Sequence, residues 1–319
     1  MNWMLKGKSI LSLMELNRSE IIKILDISAK LKEKRKRGKY PKLLKEKTLV
    51  SMFMKPSTRT RISFNEAMHE LGGHCIDVTS SELQLGRGET IEDTARVISR
   101  YCDVIAARVF SHDHVIRLSS AASVPVINSL SDMYHPCQIL ADLLTIREKK
   151  GKFNGLKLAY VGDGNNVCNT LIIGCTQVGM HVNIACPKEY MPSQDAINFA
   201  LKSTENNGGK IVFFDEPKEA VKDVDIIYTD TFISMGQEKE EEKRLKIFLP
   251  KYQVNRRLVE HAKSDFIFMH CLPAHRNQEV TDDVMDSINS VVFDQAENRL
   301  HVQKGLLCLL LLEESEIKI

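Results

Sequence analysis

TLVSMFMKPSTRTR, residues 48–61, joins an apolar segment to a cluster of hydroxyl and guanidinium side chains. Residues 48–54 have the length and composition of a buried strand. Beyond the cluster, apolar residues recur at the spacing of one helix face: Phe64, Ala67, Met68 and Leu71. This stretch therefore predicts a strand that passes, through residues 57–61, into the N-terminus of a helix.

Residues 57–61, Ser-Thr-Arg-Thr-Arg, have the composition of an anion-binding site. The N–H groups in the first turn of a helix have no intrahelical partner, and the helix dipole favours negative charge there. Arg59 can add a two-pronged contact that fits phosphate geometry. The alternative is a Ser or Thr helix cap followed by solvated arginines, and these five residues alone leave both open.

The composition is that of an ordinary globular protein. The 319 residues suffice for two domains of about 150 residues each. The formal charge of +2 indicates no polyelectrolyte partner, and the basic run at residues 30–39 is typical of a solvated helix C-terminus. We therefore expect no nucleic-acid partner. The longest apolar run, residues 306–312, is too short to cross a bilayer, so we expect no membrane association.

The eight cysteines show neither a C-x-x-C pair nor the spacing of a disulfide framework. Most lie in apolar runs, where a thiol packs as a small hydrophobe. The N-terminal residues lack the apolar stretch of a targeting signal, and Asn17 followed by Glu20 has the pattern of a helix capping box. We therefore expect a cytoplasmic protein.

Strand-like and helix-like segments alternate along the chain, and the pattern restarts after Gly151. The predicted strands are residues 48–54, 75–78, 104–107, 126–128, 156–161, 182–186, 211–214, 225–228, 266–269 and 291–293. This alternation predicts an α/β fold of two doubly wound domains with parallel sheets and an active site in the interdomain cleft. We assign residues 1–150 to the first domain and residues 151–299 to the second. The last helix, residues 300–319, is expected to pack back on the first.

Unusual polar clusters follow the predicted strand ends, where ligands bind in open α/β sheets. They are residues 57–61, Arg108, residues 135–138, residues 165–166, residues 230–236 and residues 270–276. His135 and Gln138 can together hold a carbonyl oxygen and its NH₂ group, although a helix cap explains them equally well. Asp230 can orient an ammonium group, and the charged tract after it has the composition of a mobile lid. A surface loop beside a solvated acid is the alternative for these residues taken alone.

Residue spacing argues against two more specific sites, one for a dinucleotide and one for a metal. Gly162-Asp163-Gly164 is not continued by the third glycine of a dinucleotide fingerprint, because Val167 stands there, so we do not expect a nicotinamide cofactor. His270 and Cys271 have no second Cys/His pair at ligand spacing, so we do not expect a metal.

In their order and spacing, these motifs resemble those of the aspartate/ornithine transcarbamylase family over essentially the whole chain. Residues 57–61 and 135–138 resemble its shared carbamoyl-phosphate motifs. Asp230 with Ser234-Met235-Gly236, and residues 270–274, resemble the subgroup that accepts ornithine. The resemblance implies transfer of a carbamoyl group from carbamoyl phosphate to the δ-amine of L-ornithine, without a cofactor. A carbamoyltransferase for another amine or amino acid is the alternative.

The resemblance also implies the site residues. Carbamoyl phosphate would be bound by Ser57, Thr58, Arg59, Thr60, Gln84, Arg108, His135, Gln138, Cys271, Leu272 and Arg299. Ornithine would be bound by Asn166, Asp230, Ser234 and Met235. The catalytic residues would be Arg108, His135, Asp230 and Cys271. Gln84 would come from a neighbouring subunit of a homotrimer, or of a multiple of trimers.

Two positions depart from the family pattern. Phe232 stands where a tryptophan is common, and Asn277 stands where a glycine follows the His-Arg pair. Two rival classes fit the residues less well. An aspartate-using relative needs cations for a second carboxylate, whereas Asp230 suits an amine. A non-catalytic Rossmann-like binding protein would share the fold but would not need the anion site, the His/Gln pair and Cys271 together.

Overall fold

Two parallel β-sheets with flanking helices organise the chain in the computed structural model, which describes residues 5–234 and 236–319 except for the side chains of residues 86 and 87. The described strands are β1 Thr48–Phe53, β2 His74–Thr79, β3 Val104–Arg108, β4 Val126–Leu130, β5 Lys157–Val161, β6 His181–Ala185, β7 Lys210–Phe213, β8 Ile226–Thr229 and β9 Ile267–His270. The fold class predicted from the alternation of segments is confirmed.

The described helices include long and short members. The α-helices are α1 Arg18–Lys36, α2 Arg59–Leu71, α3 Ile91–Ile98, α4 His112–Ala121, α5 Pro136–Lys150, α6 Asn166–Gln177, α7 Gln194–Asn207, α8 Pro217–Ala220, α9 Glu241–Phe248, α10 Arg256–Val259, α11 Asp282–Met285 and α12 Val292–Leu311. The 3₁₀ helices are Leu13–Glu15, Gln84–Arg87, Lys188–Tyr190, Glu238–Glu240 and Glu314–Glu316. Across the described residues, no helix combines the length and apolarity needed to span a membrane.

The first compact unit extends to Leu144 and also contains Glu297–Ile319. Its sheet has the order β2-β1-β3-β4 with all pairs parallel. β1 is buried from its second residue onward and β3 throughout, as expected for the middle of a sheet covered on both faces. The strand order reverses between β1 and β3, so residues 57–61 and Arg108 follow strands at the point where α/β sheets bind ligands.

The second compact unit comprises Thr145–Ala296, and its parallel sheet has the order β7-β6-β5-β8-β9. Here the order reverses between β5 and β8. The loops after these two strands, residues 162–165 and residues 230–236, are therefore neighbours at the carboxyl edge of the sheet. The loop after β9 lies next to that of β8 because these strands pair directly.

The structure contains the helix cap and the apolar helix faces that the sequence pattern predicts. Asn17 and Glu20 form a reciprocal capping box at the start of α1. The four apolar residues predicted to share one face of α2 are all fully buried: Phe64, Ala67, Met68 and Leu71. Along α5 the same is true of Leu140, Leu143, Leu144 and Ile146. Both helices therefore take their stability from an apolar face against the core.

The predicted strand at residues 291–293 is wrong. Pairing with β9 is limited to one isolated bridge between Phe268 and Ser290, because α12 begins at Val292. The N–H of Gln295 already donates to the carbonyl of Val291 (2.9 Å). Two adjacent valines suggest a strand locally, but the twenty-residue helical pattern that follows outweighs them. Arg299 consequently lies within α12.

Candidate functional site

The start of α2 leaves hydrogen-bonding groups available for an anion. Thr58 occupies the N-cap position, yet its side chain makes no capping hydrogen bond. The side chains of Ser57 and Thr58 have no hydrogen-bond partner in the described part of the chain. The N–H groups of Thr60 and Arg61 belong to the first turn and lack intrahelical acceptors. These features favour the anion-site interpretation over that of an ordinary helix cap.

Arg299 brings three of the predicted residues together within the first unit. Its guanidinium donates to Oγ1 of Thr60 (3.0 Å) and to Oε1 of Gln138 (2.6 Å). Its Nη1 also lies 3.3 Å from Nε2 of His135. All four side chains are buried. α2, α5 and α12 thus hold a single polar cluster behind the first turn of α2, and a residue far along the chain supplies its centre.

The amide of Gln138 is oriented by its neighbours. Its Nε2 donates to Asp142 (2.9 Å) while its Oε1 accepts from Arg299. One N–H of the amide is therefore engaged on the protein side, while its second N–H and one lone pair of the oxygen remain for a ligand. The amide thus keeps both a donor and an acceptor, as the predicted role requires.

Three guanidinium groups act on His135. Burial lowers the pKa of its imidazole well below the ordinary value, and the positive charges of Arg299, Arg108 and Arg59 act in the same direction. A neutral imidazole has one donor and one acceptor nitrogen, and Nε2 is the acceptor towards Arg299. Arg108 ends β3, where the register against β4 shifts, and such an irregularity redirects the strand end.

Two further residues of the predicted anion-site segments do not join this cluster. Arg61 pairs with Asp77 (2.7 Å) on the exposed side of α2. Gln84 lies in the 3₁₀ helix Gln84–Arg87, where its side chain is exposed and makes no hydrogen bond in the described part of the chain. The structure of one chain therefore does not bring Gln84 to the cluster around Arg299.

Asp230 is the centre of the polar cluster in the second unit. It follows β8 directly and is buried. Its Oδ1 accepts from the thiol of Cys271 (2.9 Å), and its Oδ2 accepts from the amide of Asn165 (2.7 Å). The Oδ1 of Asn165 in turn caps α6 by accepting from the N–H of Val167 (2.9 Å). The carboxylate is thereby fixed between two loops.

The turn after β9 is held by a buried acid. Nδ1 of His270 accepts from the N–H of Leu272 (2.9 Å), and Nε2 lies 3.1 Å from the fully buried Glu279. Leu272 has φ of 59°, a left-handed conformation that needs such support. Asp230, His270 and Cys271 do place potential metal ligands within 4.8 Å of one another. Both imidazole nitrogens, however, are already engaged in hydrogen bonds.

The remaining residues predicted for the amine site differ in their position and hydrogen bonds. Asn166 is the first residue of α6, and its Oδ1 accepts from the N–H of Val167 (3.0 Å). Ser234 is half-buried, and its N–H donates to the side chain of Gln237 (3.0 Å). Met235 lies outside the described residues.

The two departures from the family pattern have structural explanations. Phe232 is fully buried and stacks on Phe248, with ring centroids 4.7 Å apart. Asn277 has φ of 66°, a region favoured by glycine and tolerated by asparagine. Both residues therefore serve the loops they occupy.

Close packing of the chain explains the glycine at position 164, after β5. A Cβ on Gly164 would lie 2.4 Å from backbone atoms of Tyr190, Met191 and Pro192. The close approach is thus to the chain itself and not to a pyrophosphate.

An ion pair that the sequence did not indicate lies beside Asp230. Asp163 pairs with Arg244 of α9, and both side chains are less than one-tenth exposed. Burial raises the pKa of Asp163 to about 7; the guanidinium of Arg244 opposes this shift, and the Asp230 carboxylate adds to it. Asp163 and Arg244 were missed as site residues, whereas Asn165 belongs to the polar cluster predicted at residues 165–166. Only Asn165 has a local signal, the helix-capping position before an apolar helix.

Comparison with protein families accounts for nearly the whole chain. Residues 8–148 match the carbamoyl-P binding domain of aspartate/ornithine carbamoyltransferase, and residues 154–310 match the Asp/Orn binding domain of the same family. The ornithine carbamoyltransferase of Pyrococcus horikoshii is 56% identical over 307 residues, which cover 96% of each protein.

Solved structures give the same relatives. The ornithine carbamoyltransferase of Pyrococcus furiosus superposes with a TM-score of 0.94 at 54% identity, covering 97% of this chain and 98% of that one. The anabolic ornithine carbamoyltransferase of Campylobacter jejuni superposes with a TM-score of 0.89 at 39% identity, covering 94% of this chain and 98% of that one.

Proposed function

This chain belongs to the aspartate/ornithine carbamoyltransferase family, and from that premise we propose that it transfers the carbamoyl group of carbamoyl phosphate to the δ-amine of L-ornithine, giving L-citrulline and phosphate. The observation that carries the choice of an amine acceptor is the setting of Asp230. Its carboxylate is fixed by Asn165 and Cys271 at the carboxyl edge of the second sheet. A carboxylate there attracts an ammonium group and would repel a second acid.

We assign the phosphate of carbamoyl phosphate to the start of α2. The hydroxyls of Ser57 and Thr58, the first-turn N–H groups and the guanidinium of Arg59 supply donors and positive charge. Neutralising the phosphate makes it a better leaving group and fixes the direction in which the C–O bond breaks.

The carbamoyl group is assigned to the cluster around Arg299. Arg108, Thr60 and the neutral imidazole of His135 can donate to the carbamoyl oxygen, which gains negative charge as the carbon becomes tetrahedral. The oxygen of Gln138 can accept from the carbamoyl NH₂, as can the carbonyl groups of Cys271 and Leu272. Arg299 holds three of these side chains before the substrate arrives.

Ornithine is assigned to the second unit, through Asn166, Asp230, Ser234 and Met235. Its δ-amine must lose a proton before attack, because an amine of this type has an ordinary pKa of about 10.4. The ammonium releases this first proton to solvent. The Asp230 carboxylate, which accepts a hydrogen bond from the thiol of Cys271, then holds the neutral amine and accepts the second proton that the nitrogen loses as the new C–N bond forms. Collapse of the tetrahedral intermediate then breaks the bond to phosphate, and no covalent enzyme intermediate is needed.

The pathway, the cellular location and the subunit assembly are part of the same proposal. We propose a role in arginine synthesis in the cytoplasm, and a homotrimer in which Gln84 of the partner subunit contacts carbamoyl phosphate. Its exposure in the isolated chain supports this arrangement. Arg59→Ala and Gln84→Ala trimers should each be impaired, and mixing and reassembling them should restore part of the activity, because a mixed interface regenerates intact sites. No recovery, with wild-type chains surviving the same treatment, would contradict the sharing.

The activity itself is tested by incubating the purified protein with carbamoyl phosphate and either ornithine or aspartate. We expect citrulline from ornithine and no carbamoylaspartate from aspartate. Carbamoylaspartate as the main product would overturn the assignment.

A further inference from the structure

Arg244 is a buried cation in an otherwise solvated segment. Residues 237–246 have the composition of a mobile lid, but α9 and the 3₁₀ helix before it give them a fixed fold. The side chain of Arg244 is 3% exposed, whereas that of Lys246, two residues further along the same helix, is 73% exposed. Burying a guanidinium is costly unless all of its contacts are satisfied, so its partners indicate what it is for.

The guanidinium of Arg244 joins three segments of the second unit. Its Nε donates to the carbonyl of Phe232 (2.6 Å), and its Nη2 pairs with the carboxylate of Asp163. Its planar face lies over the ring of Tyr190, 4.5 Å from the centroid. These partners follow β8, β5 and β6 respectively, so one side chain fixes the loops beyond three adjacent strands.

Two of these contacts adjoin the predicted amine-binding groups. Phe232 is two residues beyond Asp230, and Asp163 is two residues before Asn165, whose amide donates to Asp230. Arg244 therefore contacts both loops that the Asp230–Asn165 hydrogen bond connects, the one after β8 and the one after β5. Its charge also offsets that of Asp163, so the ammonium of a bound substrate faces one uncompensated carboxylate, Asp230.

We propose that Arg244 is a positioning residue for the amine substrate: it sets the relative position of the loops that carry Asp230 and Asn165 without touching the substrate itself. The inference rests on the proposed function, because the amine concerned is that of ornithine. It assigns a specific role to a segment for which the sequence suggested only a lid.

Arg244→Met tests the proposal, because methionine keeps most of the length and packing of the side chain but removes every donor. We expect the KM for ornithine to rise by about tenfold or more, as for loss of charge-assisted hydrogen bonds, and the KM for carbamoyl phosphate to stay within about twofold. Arg244→Lys should give an intermediate KM for ornithine, because one ammonium cannot serve Phe232 and Asp163 in the geometry of a planar fork. Lys246→Met, in the same helix, is the matched control and should leave both KM values unchanged.

A purely structural role gives a different pattern. The active fraction would then fall while both KM values stayed at their wild-type level, and that result would overturn the proposal. If Arg244→Met fails to fold, Asp163→Asn provides the second route, because it keeps the shape of the ion pair and removes its charge. We expect it to raise the KM for ornithine selectively, and an unchanged KM would contradict us. A wild-type protein that does not carbamoylate ornithine would instead refute the proposed function.

Discussion

The polar clusters of the two units are built on the same plan with opposite charge. In the first unit, three guanidinium groups act on one neutral imidazole, and Arg299 ties the cluster together. In the second unit a carboxylate is the centre, and Asn165 and Cys271 donate to it. Both clusters lie where the strand order of a parallel sheet reverses.

The difference shows how one fold serves two substrates. Strand order determines where a ligand can bind, whereas the side chains beyond the strand ends determine its charge. In each unit a residue from outside the local loop orients the cluster: Arg299 of α12 in the first, and Arg244 of α9 in the second. The predictions below test whether the two clusters have separate roles.

Asp230→Asn should have the largest effect on turnover. The amide keeps the shape of the side chain but cannot accept a proton or balance an ammonium, so we expect kcat to fall by about a thousandfold. Steady-state citrulline formation measures this. Asp265→Asn, at an exposed acid of the same unit, is the control and should be close to wild type. A loss of less than about tenfold would show that Asp230 does not act in the amine step.

Arg299→Met should lower kcat/KM for carbamoyl phosphate by about a hundredfold, because Thr60, His135 and Gln138 lose their shared partner. The control is Arg37→Met, at the exposed residue that follows α1. If the variant changed only the KM for ornithine, the division between the clusters would be wrong.

Glu279→Gln tests how far the amine cluster depends on the turn after β9. Oε1 of the carboxylate accepts from the backbone N–H of His275 and faces Nε2 of His270. Glutamine keeps one oxygen for these contacts but removes the negative charge that strengthens them. We expect kcat/KM for ornithine to fall by about tenfold, with unfolding measured in parallel. Glu260→Gln, on an exposed side chain, is the control. Equal losses for both substrates would indicate a global defect.

The sequence indicated those candidate site residues whose neighbours along the chain form a recognisable pattern. Residues 57–61 could be assigned because a strand, a hydroxyl-rich turn and a helix face follow one another directly. Arg299 was assigned only through the family resemblance, because it lies inside α12, where no strand end or loop marks it. Arg244 gave no signal, because one arginine among many charges becomes distinctive only when the fold buries it.

A separate prediction concerns the pH dependence of stability. The pKa of His135 is held well below its ordinary value, and burial lowers that of His301 to about 2, with Lys304 acting in the same direction. The unfolded chain takes up protons at both residues below about pH 6.5, while the folded chain does not. The free energy of unfolding should therefore fall with decreasing pH, by about 1.4 kcal/mol per pH unit for each histidine.

Denaturant unfolding between pH 5 and 7 measures this slope. This range extends about one pH unit to either side of the ordinary histidine pKa. His301→Gln should remove the contribution of one histidine from the slope of unfolding free energy against pH. An unchanged slope in the variant would mean that His301 is not held neutral in the fold.

The equilibrium dissociation constant of carbamoyl phosphate, measured for the wild type, Arg299→Met and Asp230→Asn, tests the division of roles most directly. We predict that Arg299→Met weakens binding by about a hundredfold, while Asp230→Asn stays within about twofold of the wild type. Comparable losses in both variants would contradict the assignment of the anion to one cluster and the amine to the other.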